Sequence, residues 1–233
     1  LENITRIGAN AFKDQVFTAV DFSRVTELIQ INQNSFTNSQ LTNLDLSRNT
    51  KLEIIATSAF QNSLLQTLDL SANTSLSLIG NYAFQKSPLQ ALDLSANPSL
   101  NIIGDYAFQE SLLQALDLSA NTSLSIIGDN TFEKSPLRTL NLSGNPNLSK
   151  IGKWAFFYNR LETIDLSQLS ALTYLGQSSF FGVYNDPPQA NLIMPSTCNL
   201  LMIDNGAFAN KRFSSLDFSN CAQLNHIGGF TFS

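Results

Sequence analysis

Leu65-Gln66-Thr67-Leu68-Asp69-Leu70-Ser71-Ala72-Asn73, continued by Thr74-Ser75-Leu76-Ser77-Leu78-Ile79-Gly80 and closed by Ala83-Phe84, is the stretch that decides the fold. Almost the same 24 residues return from Leu89 and again from Leu113, and their columns run to both ends of the 233-residue chain. One column holds Leu44, Leu68, Leu92, Leu116, Leu140, Ile164, Leu192 and Leu216. Another closes each turn on phenylalanine, at Phe12, Phe36, Phe60, Phe84, Phe108, Phe132, Phe156, Phe180, Phe208 and Phe232. No single repeat can bury its apolar side alone, so a fixed period of this length reads as a solenoid whose turns cover one another.

Leu65, Leu68 and Leu70 are spaced L-x-x-L-x-L, and alternation of that kind predicts a short strand whose outer residues face water. One strand per turn, stacked in parallel, falls near residues 19–23, 43–47, 67–71, 91–95, 115–119, 139–143, 163–167, 191–195 and 215–219. The few residues between Leu76 and Phe84 leave room only for short strands or tight turns on the far side. Asn73 stands where the chain leaves the sheet, in one column with Asn49, Asn97, Asn121 and Asn145. An inward amide there can satisfy backbone donors and acceptors of the bend. The pattern is a leucine-rich repeat. The fold expected is an α/β-type repeat solenoid, mostly parallel β with short convex turns, right-handed and curved.

The core together with L-x-x-I-G-x-x-A-F, as in Leu76 through Phe84, Leu100 through Phe108 and Leu148 through Phe156, resembles the BspA-like (Treponema pallidum-type) leucine-rich repeats of microbial surface proteins. The resemblance covers essentially the whole chain. Two features depart from the usual member: Ser71, Ser95 and Ser119 stand where a proline follows the strand, with Pro195 the exception, and the cysteine beyond the Phe is absent. The resemblance implies an attached or secreted protein that binds host or matrix proteins.

Composition bounds the rest. Hydrophobic residues make up 43% of the chain, enough to fill a core, but that core is a narrow column of Leu, Ile and Phe. Charged residues are 13%, the net charge is -5 and there is no Lys/Arg run, which argues against nucleic-acid binding. No apolar stretch approaches the roughly 18 residues of a membrane-spanning helix. Residues 1–233 read as a single domain of nearly ten turns, with an insertion around 181–190 that carries Pro187 and Pro188. Both ends stop inside a repeat without a polar-faced cap, so a fragment lacking at least one cap is expected.

The outward column between the two strand leucines holds Asp21, Asp45, Asp69, Asp93, Asp117, Asp165 and Asp217, with Asn141 and Ile193 as exceptions. Neighbouring parallel strands lie about 4.7–4.9 Å apart, and like charges directly opposite one another cost stability. Three arrangements could offset this: solvation with hydrogen bonds from flanking hydroxyls such as Ser71, Ser95, Ser119 and Thr67; a basic partner steered to the carboxylates; or calcium, which needs a shell of about six to eight oxygens. Beside the column, Arg138 replaces Gln66, Gln90 and Gln114. Asp69, Asp93, Asp117, Arg138, Asp165 and Tyr184 in the insertion are the candidate binding residues of the concave face. Aromatic anchors are expected around Trp154, Phe157, Tyr158, Tyr174 and Tyr184.

Phe60, Phe84, Phe108, Phe132 and Phe156 read as an internal spine, and the Gly80, Gly104, Gly128 and Gly152 column permits either positive φ or close approach of turns. Cys198 and Cys221 fall one column apart on adjacent turns once the insertion is removed, which brings them within reach of a disulfide. Cys221 equally suits a small buried apolar position. His226 is the only histidine, on the surface, and no second group completes a triad or a metal shell. No enzyme, cofactor or metal site is expected. The chain reads as a non-catalytic binding module, monomeric, extracellular or at the cell surface, whose partner is an extracellular protein, a basic one if the aspartate column takes part; the alternative is a structural spacer or envelope component.

Overall fold

A computed structural model of the chain describes residues 3–183 and 190–233. Each turn contributes two short strands. The first set lies in the L-x-L segments: Ala19–Val20, Asn43–Leu44, Thr67–Asp69, Ala91–Asp93, Ala115–Asp117, Thr139–Asn141, Thr163–Asp165 and Asn191–Ile193. The second set lies just before the glycine column: Arg6–Ile7, Gln30–Ile31, Ile54–Ile55, Leu78–Ile79, Ile102–Ile103, Ile126–Ile127, Lys150–Ile151, Tyr174–Leu175, Met202–Ile203 and His226–Ile227. Every pairing is parallel and joins equivalent residues of adjacent turns, such as Leu68 with Leu92 and Ile79 with Ile103. The result is a curved parallel solenoid. Among the described residues all regular elements are strands, so the α/β-type class narrows to all-β.

The unbroken sheet is the second set, ten strands in chain order. The L-x-L strands, expected to form the continuous sheet, hydrogen-bond only in twos: Ala19–Val20 with Asn43–Leu44, Thr67–Asp69 with Ala91–Asp93, Ala115–Asp117 with Thr139–Asn141, and Thr163–Asp165 with Asn191–Ile193. They are also shorter than expected. Asp69 Oδ1 accepts the N–H of Ser71 at 2.8 Å, and Asp93 and Asp117 accept those of Ser95 and Ser119 at 2.8 Å. Each such amide is withdrawn from the ladder, and the strand ends at the aspartate. No strand forms at 215–219. Pairing in twos leaves that turn without a partner, and only a bridge between Ala190 and Phe213 marks its start.

Glycine allows a close approach of turns beside this sheet, which also continues through Asn32, Ala56 and Asp204 of the same column. A Cβ on Gly80 would stand 2.7 Å from Thr57 N, and one on Gly104 would stand 2.7 Å from Asn81 N. Neither residue has positive φ, so the column serves close approach of turns. Left-handed backbone occurs instead at Tyr82, Tyr106, Asn130 and Trp154, and again at Lys86, Glu110, Lys134 and Tyr158. These residues flank each spine phenylalanine and reverse the hydrogen-bonding sense. The N–H groups of Tyr82, Phe84 and Lys86 donate forward to Asp105, Ala107 and Gln109 at 2.8–2.9 Å, whereas Gly80 N donates back to Ile55 at 2.8 Å. A left-handed L-residue costs roughly 1–2 kcal/mol, and this third inter-turn ladder offsets it.

The core is one column. Phe84, Phe108 and Phe132 are fully buried, and successive rings from Phe12 to Phe232 stack nearly parallel with centroids 4.9–5.7 Å apart. Asn49, Asn73, Asn97, Asn121 and Asn145 are buried beside it. Asn97 Nδ2 donates to Leu70 O at 3.0 Å and Asn73 O at 2.8 Å, and Asn121 and Asn145 repeat the arrangement. Asn49 Nδ2 reaches Val25 O. The column therefore satisfies the carbonyls of the bend but not its donors, and the amide oxygens accept no hydrogen bond among the described residues.

Candidate functional site

Asp69, Asp93, Asp117 and Asp165 project from the solvent side of the L-x-L strands and are exposed. The register sets Asp69 beside Asp93, Asp117 beside Asn141, and Asp165 beside Ile193. The hydroxyl and then the N–H of Ser71 hold the Asp69 carboxyl below its ordinary value of 3.8, against a small opposing effect of burial and of Asp45. Ser119 does the same for Asp117, Ser23 for Asp21 and Ser47 for Asp45, while at Asp217 the Ser219 N–H leads. Local hydrogen bonding to the charged form thus outweighs repulsion along the row. Asn141 keeps the same turn with a neutral amide, its Oδ1 accepting the N–H of Ser143 at 3.1 Å.

The salt bridges among the described residues are Lys51–Glu27, Lys134–Glu110, Lys134–Glu133 and Lys150–Asp129, and none reaches the aspartate row. Arg24 and Arg48 lie close enough to favour the charged forms of Asp21 and Asp45, whereas Asp69 and Asp117 are held by their serines without a salt bridge. Leu92 is only partly buried between Ala91 and Asp93. A groove of about 370 Å³ passes Asp69, Asp93 and Asp117 over this floor. Arg138 is exposed at the entrance to Thr139–Asn141, its N–H bonded to Gln114 O at 2.8 Å. Tyr184 lies outside the described residues.

An aromatic group that the sequence analysis only partly identified stands ahead of the insertion. Phe157 packs edge-on against Tyr158 at 4.4 Å and lies 4.8 Å from Phe181, with Tyr158 42% exposed. Phe181 was missed, although it follows the spine residue Phe180 as Phe157 follows Phe156. On earlier turns the same column is polar: Gln61, Gln85, Gln109 and Glu133 form a side-chain ladder, Gln109 Nε2 donating to Glu133 at 2.6 Å. Trp154 is half-buried. Tyr174 donates to Asp204 at 3.0 Å, and burial, then that bond and the Asp204 charge, push its hydroxyl up to about 12. These two belong to packing and not to the aromatic group.

Cys198 and Cys221 are joined by a disulfide with Cα atoms 4.7 Å apart. It links adjacent turns where Leu169 and Thr197 have interrupted the asparagine column. His226 is exposed, and among the described residues no three His, Cys, Asp or Glu side chains are grouped to hold a metal. Among the described residues no helix is long and apolar enough to cross a membrane.

A parallel solenoid with L-x-x-L-x-L strands and a buried asparagine column is a leucine-rich-repeat protein. The chain belongs to the BspA type: the family described as BspA type leucine rich repeat region (6 copies) matches residues 5–122 and 101–233. No curated protein matches the chain. Among solved structures, the pneumococcal vaccine antigen PcpA is 18% identical with a TM-score of 0.50, over 97% of this chain and 64% of that one. The functional domain of InlJ from Listeria monocytogenes, described as including a cysteine ladder, is 18% identical with a TM-score of 0.39, over 97% and 59%. A leucine rich cell surface protein from Faecalibacterium prausnitzii A2-165 is 17% identical with a TM-score of 0.37, over 99% and 77%. The chain spans about three fifths of the first two, 64% and 59%.

Proposed function

We propose that this chain is a non-catalytic protein-binding module of a cell-surface or secreted protein, and that its aspartate face engages a basic extracellular protein. The observation that carries the reading is the row Asp69, Asp93 and Asp117: exposed, each accepting the N–H of a local serine, and in no salt bridge among the described residues. Such a single-sign surface concentrates opposite charge and accelerates encounter. The aromatic group of Phe157, Tyr158 and Phe181 supplies the apolar contact that the small residues of the central turns lack, and aromatic anchors commonly dominate affinity. Membership of the BspA type and the fold shared with a pneumococcal vaccine antigen support the extracellular placement. The disulfide fits an oxidising compartment.

An array of secreted proteins screened with this domain, followed by surface-resonance kinetics on the strongest hit, tests the proposal. Association should slow when Asp69, Asp93 and Asp117 are all changed to Asn, and when salt rises, because exposed charges are screened over about 8 Å at physiological ionic strength. Tyr158→Ala should speed dissociation. Kinetics indifferent to salt and to both variants would remove the face from consideration. A spacer without a dedicated ligand is the second reading, favoured by the near identity of the turns between residues 64 and 135. It predicts no saturable binding to any member of the array.

A further inference from the structure

The concave ladder opens where the surface is hollow. Ahead of each L-x-L strand an N–H donates to a carbonyl one turn back: Thr42 to Thr18 at 2.9 Å, Gln66 to Thr42 at 3.5 Å, Gln90 to Gln66 at 2.7 Å and Arg138 to Gln114 at 2.8 Å. Gln114 makes no such bond to Gln90. At the other end of the strands Leu70 N donates to Asp93 O and Leu118 N to Asn141 O, both at 3.0 Å, and Leu94 makes no equivalent bond to Asp117. Among the described residues, then, no ladder joins Ala91–Asp93 to Ala115–Asp117. A hollow of about 720 Å³ lies at this seam, lined by Gln90, Ala91, Leu92, Leu112, Ala115 and Pro136.

The opening follows an alternative bond. Leu112 N donates to Leu89 O at 2.9 Å and Arg160 N to Leu137 O at 2.8 Å, and on both of these turns the regular bond, from Gln114 to Gln90 or from Glu162 to Arg138, is missing. Pro88 and Pro136 stand where Leu112 and Arg160 do but have no N–H, and on their turns the regular bond forms. Gln90 O and Gln114 N–H are thus left without a backbone partner, on residues that are both exposed. Such groups are a template for another chain. The seam from Arg138 to Glu162 carries the protein's own guanidinium at its rim and is flanked by Asn141 and Asp165, so it has one carboxylate where the first seam, between Asp93 and Asp117, has two.

The hollow and the carboxylates lie end to end. The strand from Gln90 to Asp93 covers about 10 Å, floored by Ala91 and the partly buried Leu92. Asp93 and Asp117 stand at its far end, each with Oδ1 accepting a serine N–H and a second oxygen left for an incoming donor. A fitting occupant offers a peptide group at one end, an apolar stem over the middle and a cation at the other. Arginine in an extended segment has all three, and its fork of N–H donors can serve both carboxylates at once. We propose that the seam seats an arginine residue of the partner protein. Its main-chain carbonyl accepts the Gln114 N–H, its stem crosses Leu92 between Ala91 and Ala115, and its guanidinium lies between Asp93 and Asp117. The proposal rests on the face being a surface for a basic protein, and it specifies the residue taken and the place that takes it.

The probe is acetyl-Gly-Ala-Arg-Ala-Gly-amide, titrated at low salt into the isotopically labelled domain and followed by its amide resonances, beside versions carrying lysine or the neutral isostere citrulline. The Gln114 and Ala115 resonances should shift saturably. The arginine peptide should bind about threefold more tightly than the lysine one and about tenfold more tightly than the citrulline one, the scale of one or two exposed ion pairs. Leu112→Pro copies the Ser87-Pro88 and Ser135-Pro136 turns and should close the seam. Its Gln114 N–H should exchange more slowly with solvent and its affinity for the arginine peptide should fall about tenfold. Leu112→Ala keeps the N–H and should lose less than about threefold. Asp93→Asn with Asp117→Asn should bring the arginine peptide down to the citrulline level, with the fold retained because Asn141 already sustains this turn with an amide. Equal binding of the lysine and arginine peptides would overturn the assignment to arginine. Shifts at the aspartates with Gln114 and Ala115 unmoved, or a basic protein from the array that binds the parent and Leu112→Pro alike, would overturn the seam while leaving the face as a basic-partner surface. Failure of every cationic ligand, peptide or protein, would remove both readings.

Discussion

Replacing Phe108 with alanine tests whether the turns are held together by the ring column. Phe108 is fully buried, with Phe84 at 5.2 Å on one side and Phe132 at 5.3 Å on the other. A buried Phe→Ala change costs about 3–5 kcal/mol in transfer and cavity terms. Each aromatic pair adds roughly 0.5–1.5 kcal/mol beyond burial. Phe84 and Phe132 cannot collapse into the void, because the N–H of each is tied to the next turn, Phe84 to Ala107 and Phe132 to Ala155 at 2.7–2.8 Å. The expected loss is therefore at the upper end, about 4–6 kcal/mol. Phe12→Ala is the internal comparison: the ring is partly buried, has Phe36 as its stacking partner at 4.9 Å, and should cost less than half as much. Urea denaturation followed by circular dichroism and by fluorescence of Trp154, the only tryptophan, would measure both. Since repeat arrays unfold in segments when a central interface weakens, the two probes should separate in Phe108→Ala and coincide in the parent. A Phe108→Ala loss below about 1 kcal/mol, with coincident probes, would refute a column packed in this way.

Four further outcomes follow from the same geometry. Asp93→Asn should leave the urea midpoint unchanged or raised, whereas Asp93→Ala, which cannot accept the Ser95 N–H, should lose roughly 0.5–1.5 kcal/mol. Asp21, Asp45, Asp69, Asp117 and Asp217 titrate below 3.8 in the fold, so the unfolded chain binds protons first on acidification. Their contribution is complete above that value and disappears as pH falls through the lowered folded values; urea midpoints should be flat from about pH 7 to 5 and drop below about pH 4. Gly104→Ala should destabilise by about 1–3 kcal/mol, because its methyl meets the backbone of Asn81, and thermal melts that match the parent would contradict the close approach. Reducing Cys198–Cys221, which closes a loop with sequence separation 23, should release about 3 kcal/mol of chain-entropy stabilisation near the C-terminal turns, read as faster hydrogen exchange confined to them.

The solenoid, its period and the inward Leu, Phe and Asn columns were legible in the sequence because each is a one-residue-per-turn choice between core and water. Leu68, Phe84 and Asn73 have no alternative placement once the register is set. The route of the backbone hydrogen bonds was not legible. Leu78–Ile79 and Thr67–Asp69 are both short segments that bury one side chain fully, and side-chain pattern does not say which of them forms the long ladder. Tertiary spacing decided it: Gly104 lets neighbouring turns approach to backbone contact on one side, while Asp69 removes the Ser71 amide from the other. The left-handed residues were only partly legible, through Asn10, Asn34, Asn38 and Asn62, whose type favours positive φ. Tyr82, Asn130 and Trp154 share no chemistry, and their positive φ is imposed by amides that must reach the following turn. Alternation along the strand placed the aspartates in an outward row, but the pairing of those strands in twos is a property of the folded sheet. Sequence determines what each turn buries; contact between turns determines how the backbone is bonded and at what spacing the surface is presented.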